Sequence, residues 1–415
     1  MGMKSEIRSK NLLYTNLGQK WLAQFVGADQ DIAERIIDSL TLVSHSEFLR
    51  EIQKALEQEA TGPKQPAAIF AVREIDPSTS YFAQVIRKPN GEVLPLLDVS
   101  DVGSEGEMAF AVRQFCKPKP KLRLNHPTIA KMRKAKVRKI ILVDDVIGSG
   151  KRVTDFLDAL WKVASLTSWH SLKYIKFVVV SYSGTRSGCR QVRRHKCKPE
   201  IRVTRPCPTF SRMPIKEELR DAIRFVCQKY GNQTSKPHMS LGFRESMASM
   251  VFEHGCPNNT PSILWAPSTP KNPWVALFPN RTIGSAEKSV FPVEIARRDP
   301  LVTLLEVGQE KLAKSDTFDR RSETGTQIIL TLALIAKGQR RIEALSYAIG
   351  LDGKKCVDVR NKCVEWGFLT KSYRLTKRGS AELEAARKDK FSTFEIPEVG
   401  EIYYYPKKLR EAKPD

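Results

Sequence analysis

The stretch Lys139-Ile140-Ile141-Leu142-Val143-Asp144-Asp145-Val146-Ile147-Gly148-Ser149-Gly150 constrains the fold of this chain more than any other. An apolar run with the look of a buried strand, Lys139 to Val143, leads into two adjacent carboxylates and then a small-residue loop. Val153, Phe156, Leu157, Leu160 and Trp161 follow at helical spacing, so the loop opens a helix. Strand, acid pair, glycine loop and helix in this order belong to open α/β sheets, which bind ligands beyond the carboxyl ends of their strands. Glycines let backbone amides approach a phosphate, and the positive end of the helix dipole favours the anion there. Carboxylates only accept hydrogen bonds and so suit ribose hydroxyls. Asp144 and Asp145 are therefore candidate ligand acids, and Gly148, Ser149 and Gly150 a candidate phosphate loop. A Walker P-loop would need glycine at Asp145 and Ser or Thr at Arg152, and it fails at both. A strand-to-helix turn merely capped by two acids remains the plain alternative.

The surroundings support an α/β unit joined to a smaller one. At 415 residues the chain exceeds one ordinary domain, and 41% hydrophobic residues allow a substantial core. Residues 1–60 read as helices of the first domain. Trp21, Leu22 and Phe25 cluster there, Asp31 to Glu34 reads as a capping box, and Ser46 as the cap of a third helix. Over 61–280 short apolar runs, such as Ala67–Val72 and Tyr174–Ser181, alternate with helical or polar stretches, which predicts a mostly parallel sheet with flanking helices. Frequent prolines after Pro257 mark its end, and 281–321 reads as a linker. A small domain is expected over 322–390 and a tail over 391–415.

Other segments carry weaker chemistry. Arg73 follows the Ala67–Val72 run and is a candidate to pair with an anionic ligand, or is a surface arginine after an edge strand. Ser104 and Glu105 precede a helical pattern and are accessory candidates, although Ser104 can simply cap that helix with Glu107. His254, Asn258 and Asn259 offer a base-reading or proton-transfer cluster, or an ordinary turn. Cys189, His195, Cys197 and Cys207 include metal-ligand types, but no CxxC pair is present and the spacing fits no common zinc module, so no direct metal ligand is assigned.

Lys and Arg outnumber Asp and Glu by 69 to 46, a net charge of +23, which favours a polyanionic partner. Lys117 to Lys139 holds ten basic residues and no acid, and Arg186 to Arg205 holds eight against Glu200 alone. With few aromatics interleaved, these blocks suit phosphate-backbone contact better than base stacking, unless they are simply solvated faces. Thr326–Lys337, Ile342–Ile349 and Lys354–Trp366 read as three short helices, followed by a hairpin over Phe368 to Thr376. In the third helix Cys356, Val359, Cys363 and Trp366 form the buried side. Lys354, Lys355, Arg360, Asn361 and Lys362 are left to solvent, the winged-helix pattern in which the third helix lies in a DNA major groove. Winged helices also dock proteins.

The 139–150 stretch resembles the phosphoribosyl-pyrophosphate motif of type I phosphoribosyltransferases. Together with Gly103-Ser104-Glu105-Gly106 and Phe252-Glu253-His254-Gly255-Cys256-Pro257-Asn258-Asn259-Thr260, leading to Ile263-Leu264-Trp265, it is most similar to the phosphoribosyltransferase-like effector domain of bacterial conflict and antiphage systems. The similarity spans roughly residues 20–280. It implies that Asp144 and Asp145 hold the ribose hydroxyls of phosphoribosyl pyrophosphate or a ribonucleotide, that the loop holds the 5′-phosphate, that Arg73 stands where type I enzymes place a loop contacting pyrophosphate, and that Mg²⁺ arrives with the substrate. Where the family has a closing hydroxyl residue, Lys151 and Arg152 stand, which implies more cationic phosphate contacts. The expectation is a cytoplasmic effector, catalysing glycosyl transfer or N-glycosidic cleavage and tethered by its winged helix to DNA, RNA or a nucleoprotein defence complex, with no membrane association. The alternative is a transcription regulator that senses the same ligand without turnover.

Overall fold

A computed structural model describes residues 11–60, 65–87, 93–95, 104–292, 300–318 and 321–388. Gly103 and the expected tail lie outside the described residues.

Five strands form one parallel sheet: β1 (Ala67–Ala71), β2 (Arg123–Asn125), β3 (Lys139–Ile147), β4 (Lys176–Gly184) and β5 (Glu200–Pro206), in the order β2-β1-β3-β4-β5. Helices cover both faces, as unbroken apolar strands require. On one face Ile140, Leu142 and Val179 pack with Val153, Phe156 and Leu160 of α3 (Lys151–Trp161). On the other, Ile141, Val143 and Val180 meet Phe48, Ile52 and Leu56 of α1 (His45–Ala60), together with Val112 of α2 (Ser104–Cys116). Burying each such side chain contributes about 1.5–3 kcal/mol. After β4 the chain turns into α4 (Arg186–Arg193), capped by the Thr185 hydroxyl, which accepts from Gly188 N.

A third cluster joins the chain's start to the end of the α/β unit. Trp21 and Trp274 both donate ring N–H to Ile263 O, at 2.8 and 2.9 Å, and Phe25 packs against Trp274 and Tyr230. The N-terminal helices thus belong to the first body. Their starts differ from expectation: Asp31 lies inside a helix over Ala28–Asp38 whose N-cap is Gly27, and Ser44 rather than Ser46 accepts from the first turn of α1.

The expected linker is a correction. Ile283, Val290 and Phe291 are buried in the Trp21 cluster, while Leu304, Val307 and Leu312 are buried in the C-terminal core, so both ends of 281–321 are packed. The C-terminal body has α5 (Glu323–Ala336), α6 (Ile342–Ile349), α7 (Gly353–Glu365) and α8 (Lys377–Arg387) around Leu332, Leu345, Cys363 and Leu383. The wing between α7 and α8 closes on a Leu369–Leu375 bridge, with Tyr373 turning at φ 59°. This body docks on the edge strand: Arg205 of β5 reaches Gly350 O at 3.5 Å, and Pro206 lies against Gly353 at the start of α7.

Candidate functional site

The acid pair sits on the central strand. β3 runs through Asp144 and Asp145 to Ile147 because β4 pairs with it that far, Ile147 opposite Gly184, where the sequence alone suggests a strand ending at Val143. Both carboxylates are buried. Two like charges in a dry interior need a cation, and Arg152, the second residue of α3, supplies it. Its guanidinium contacts Oδ1 of Asp144 and Oδ1 of Asp145, the latter at 2.6 Å. The environments drive the acids apart. Burial pushes the Asp144 carboxyl above the ordinary range despite Arg152, with the Asp145 charge adding to the rise. At Asp145 burial also opposes ionisation, but Arg152 and His254 outweigh it and hold that carboxyl well below the usual range.

His254 completes one wall. Its ring stacks on Phe252 at 5.0 Å, meets Phe48 edge-on, and brings Nε2 to 3.6 Å from Asp145 Oδ2, longer than a hydrogen bond. Its Nδ1 is buried and makes no hydrogen bond among the described residues. Asn259 forms the next wall: its side chain lies where a Cβ on Gly148 would be, 2.0 Å from that position, and its Nδ2 donates to Ser246 Oγ. Asn258 holds Phe243 N through its backbone carbonyl.

In the loop, Gly150 adopts φ 83° at the N-cap of α3, with Gly188 O 2.6 Å from where a Cβ would stand. Only a glycine suits that conformation and that gap. Gly148 O accepts from Thr185 Oγ1, so the loop rests on the start of α4. Ser149 is half-buried, and its Oγ accepts from Lys151 N. Neither expected loop cation extends over the loop here: Lys151 pairs with Asp155 and Arg152 with the acids, so a phosphate contact from either requires that pair to open.

The remaining candidates divide. Glu105 joins the site, accepting from Glu74 N at 2.7 Å and bearing on the Arg152 charge. Ser104 begins α2. Arg73 does not follow an edge strand, since β1 lies between β2 and β3; its buried side chain donates to Gln84 O at 3.0 Å. Sequence reasoning missed Thr185 and Gly188, whose Thr-x-x-Gly spacing after a strand is a legible helix cap, and Phe48, which carried no local signal. No group of three or more His, Cys, Asp or Glu side chains suited to a metal occurs among the described residues.

The sequence matches the family model PRTase-CE over residues 19–280, a span holding every residue of this site, and the model wHTH-PRTase associated over residues 329–411. The chain belongs to the PRTase-CE family. No curated protein and no solved structure gives a significant match. The PRTase-CE match covers the Trp21 helix and the Trp274 cluster as well as the sheet, in agreement with their shared core. It makes the first body a phosphoribosyltransferase-like domain and the second its associated winged helix.

On that winged helix Lys354, Lys355, Asn361 and Lys362 of α7 are exposed as expected. Arg360 is a correction: its guanidinium stacks 3.7 Å from the Tyr373 ring centroid and donates to Arg340 O, because the wing folds back over that face. No described helix is long and apolar enough to cross a membrane.

Proposed function

We propose that this PRTase-CE protein is a conflict-system effector that binds phosphoribosyl pyrophosphate or a ribonucleotide at Asp144, Asp145 and the Gly148–Gly150 loop. The observation that carries the reading is the continuous run from two buried carboxylates on the central strand into a left-handed glycine loop capping α3, at the carboxyl edge of a parallel sheet. On this reading the two acids hydrogen-bond the ribose hydroxyls, and the ionised Asp145 places negative charge beside an anomeric carbon that becomes cationic as its bond breaks. The loop amides and the α3 dipole hold the phosphate. Arg152 must release the carboxylates as the sugar enters, and the freed guanidinium then lies beside the phosphate. His254 lies beside Asp145 and favours its ionised form.

Mg²⁺ fits this site through the substrate: hard oxygens of pyrophosphate and ribose would hold it, while the face of the acids taken by Arg152 offers no separate cation cage. The winged helix tethers the protein to DNA, RNA or a nucleoprotein in the cytoplasm. The test is thermal stabilisation by phosphoribosyl pyrophosphate with Mg²⁺, followed by an assay for pyrophosphate release. Stabilisation without release would make the protein a sensor; no stabilisation by either phosphoribosyl pyrophosphate or ribonucleotides would reject the site.

A further inference from the structure

Arg186, Arg190, Arg193 and Arg194 follow one another at four-, seven- and eight-residue offsets and so line one face of α4. All four are exposed, and none has an ion pair among the described residues. Several cations of the sheet strands are by contrast paired: Arg123 with Glu57, Lys139 with Glu59, and Arg202 with Glu59 and Glu200. Like charges four residues apart destabilise a helix, and a cation in the first turn, where Arg186 stands, opposes the dipole. The stripe carries these costs with no ion pair to offset them among the described residues.

Its position is specific at both ends. At its start Gly188 packs on Gly148 O and Thr185 donates to the same carbonyl, so the stripe begins at the phosphate loop. Alongside it, the Cys189 sulfur lies against Gly184, Gly184 pairs with Pro206, and Pro206 touches Gly353, the first residue of α7, where exposed Lys354 and Lys355 follow. Ile147, Gly184 and Pro206 are the carboxyl ends of adjacent strands. The acid-pair loop, the arginine stripe and the start of the winged-helix third helix therefore share one edge of the sheet.

We propose that the α4 arginines are the middle of a single nucleic-acid track running from the winged helix to the loop, so that the ligand presented to Asp144 and Asp145 is the 3′-terminal nucleotide of a polynucleotide strand, whose sugar hydroxyls are not taken by a phosphodiester bond. The assignment of the acid pair as a ribose site is taken from the proposed function; the track rests on the stripe. A phosphodiester backbone supplies the regularly spaced anions that the stripe lacks, and the polynucleotide supplies ribose and phosphate together at its end.

The test uses the full chain and a short duplex DNA, and the same sequence as single-stranded DNA and RNA, each with a thiol tether at one terminus. All eight native cysteines are buried, so Ser187→Cys places an exposed thiol where the stripe meets the loop. Disulfide capture of at least one of the three oligonucleotides is expected. Arg190→Glu with Arg193→Glu and Arg194→Glu should abolish capture, weaken binding by about tenfold or more, and lower the salt slope by about two to three units. The milder triple Gln variant should show the same direction with an unchanged melting temperature. Binding and capture unaffected by these changes, or no oligonucleotide binding by the parent chain, overturns the track. Stabilisation by phosphoribosyl pyrophosphate reports the acid-pair reading separately: if it is absent while capture depends on the stripe, the small-ligand reading fails and the track stands.

Discussion

Arg152 decides how the two adjacent aspartates can exist. Removing one partner from a buried ion cluster leaves charge unanswered, so Arg152→Ala should lower stability by roughly 3–5 kcal/mol in urea denaturation. Adding Asp144→Asn and Asp145→Asn should restore much of that loss; a triple variant no more stable than Arg152→Ala would show that packing and not charge is at stake. The pH dependence has two opposite arms. Asp145, with its pKa depressed, contributes stability at neutral pH that is lost as pH falls through its folded value. Asp144, with its pKa raised, holds a proton that the unfolded chain has already released, so its contribution falls as pH rises beyond the ordinary carboxylate range. A melting-temperature profile of Asp144→Asn should therefore be flatter on the alkaline side than that of the parent. In ligand assays, Asp144→Asn with Asp145→Asn should abolish stabilisation by phosphoribosyl pyrophosphate while the chain stays folded; retained stabilisation would remove the acids from the site.

At the scale of elements, the loop is the narrowest constraint. Gly150→Ala forces a side chain into a left-handed backbone, a cost of about 1–2 kcal/mol, and points its Cβ at Gly188 O. It should destabilise the chain by at least that much in denaturant titration and weaken phosphate binding; wild-type values for both would mean the loop is adaptable. This strand–loop–helix unit was legible because local pattern and function coincide in it: apolar run, acids, glycines, then a helical stripe from Val153 to Trp161. The third helix of the winged domain was legible for the same reason. What was hidden depended on distant partners. β3 continues past Val143 because β4 pairs with it, Arg152 looks like a loop cation until the two acids are seen beneath it, and Arg360 looks exposed until Tyr373 lies on it. The 281–321 segment reads as a linker because it follows the proline-rich stretch after Pro257, yet its apolar residues divide between two cores.

For the whole molecule, the division of labour between the bodies can be measured. Lys354, Lys355, Asn361 and Lys362 changed together to Ala should lower the salt slope of nucleic-acid binding by about one unit for each phosphate no longer neutralised, with stabilisation by phosphoribosyl pyrophosphate unchanged. Arg360 is left in place because its stack holds the wing. An unchanged slope would assign this face to a protein partner. The docking at Arg205 and Pro206 has a separate effect on how the protein behaves at high concentration. A parallel sheet that ends in an open strand offers a ready template for a second chain to add to, and β5 is such an end. With α6 and α7 packed over it, the winged helix shields that strand, so the phosphoribosyltransferase-like body expressed without it should aggregate where the joined chain does not.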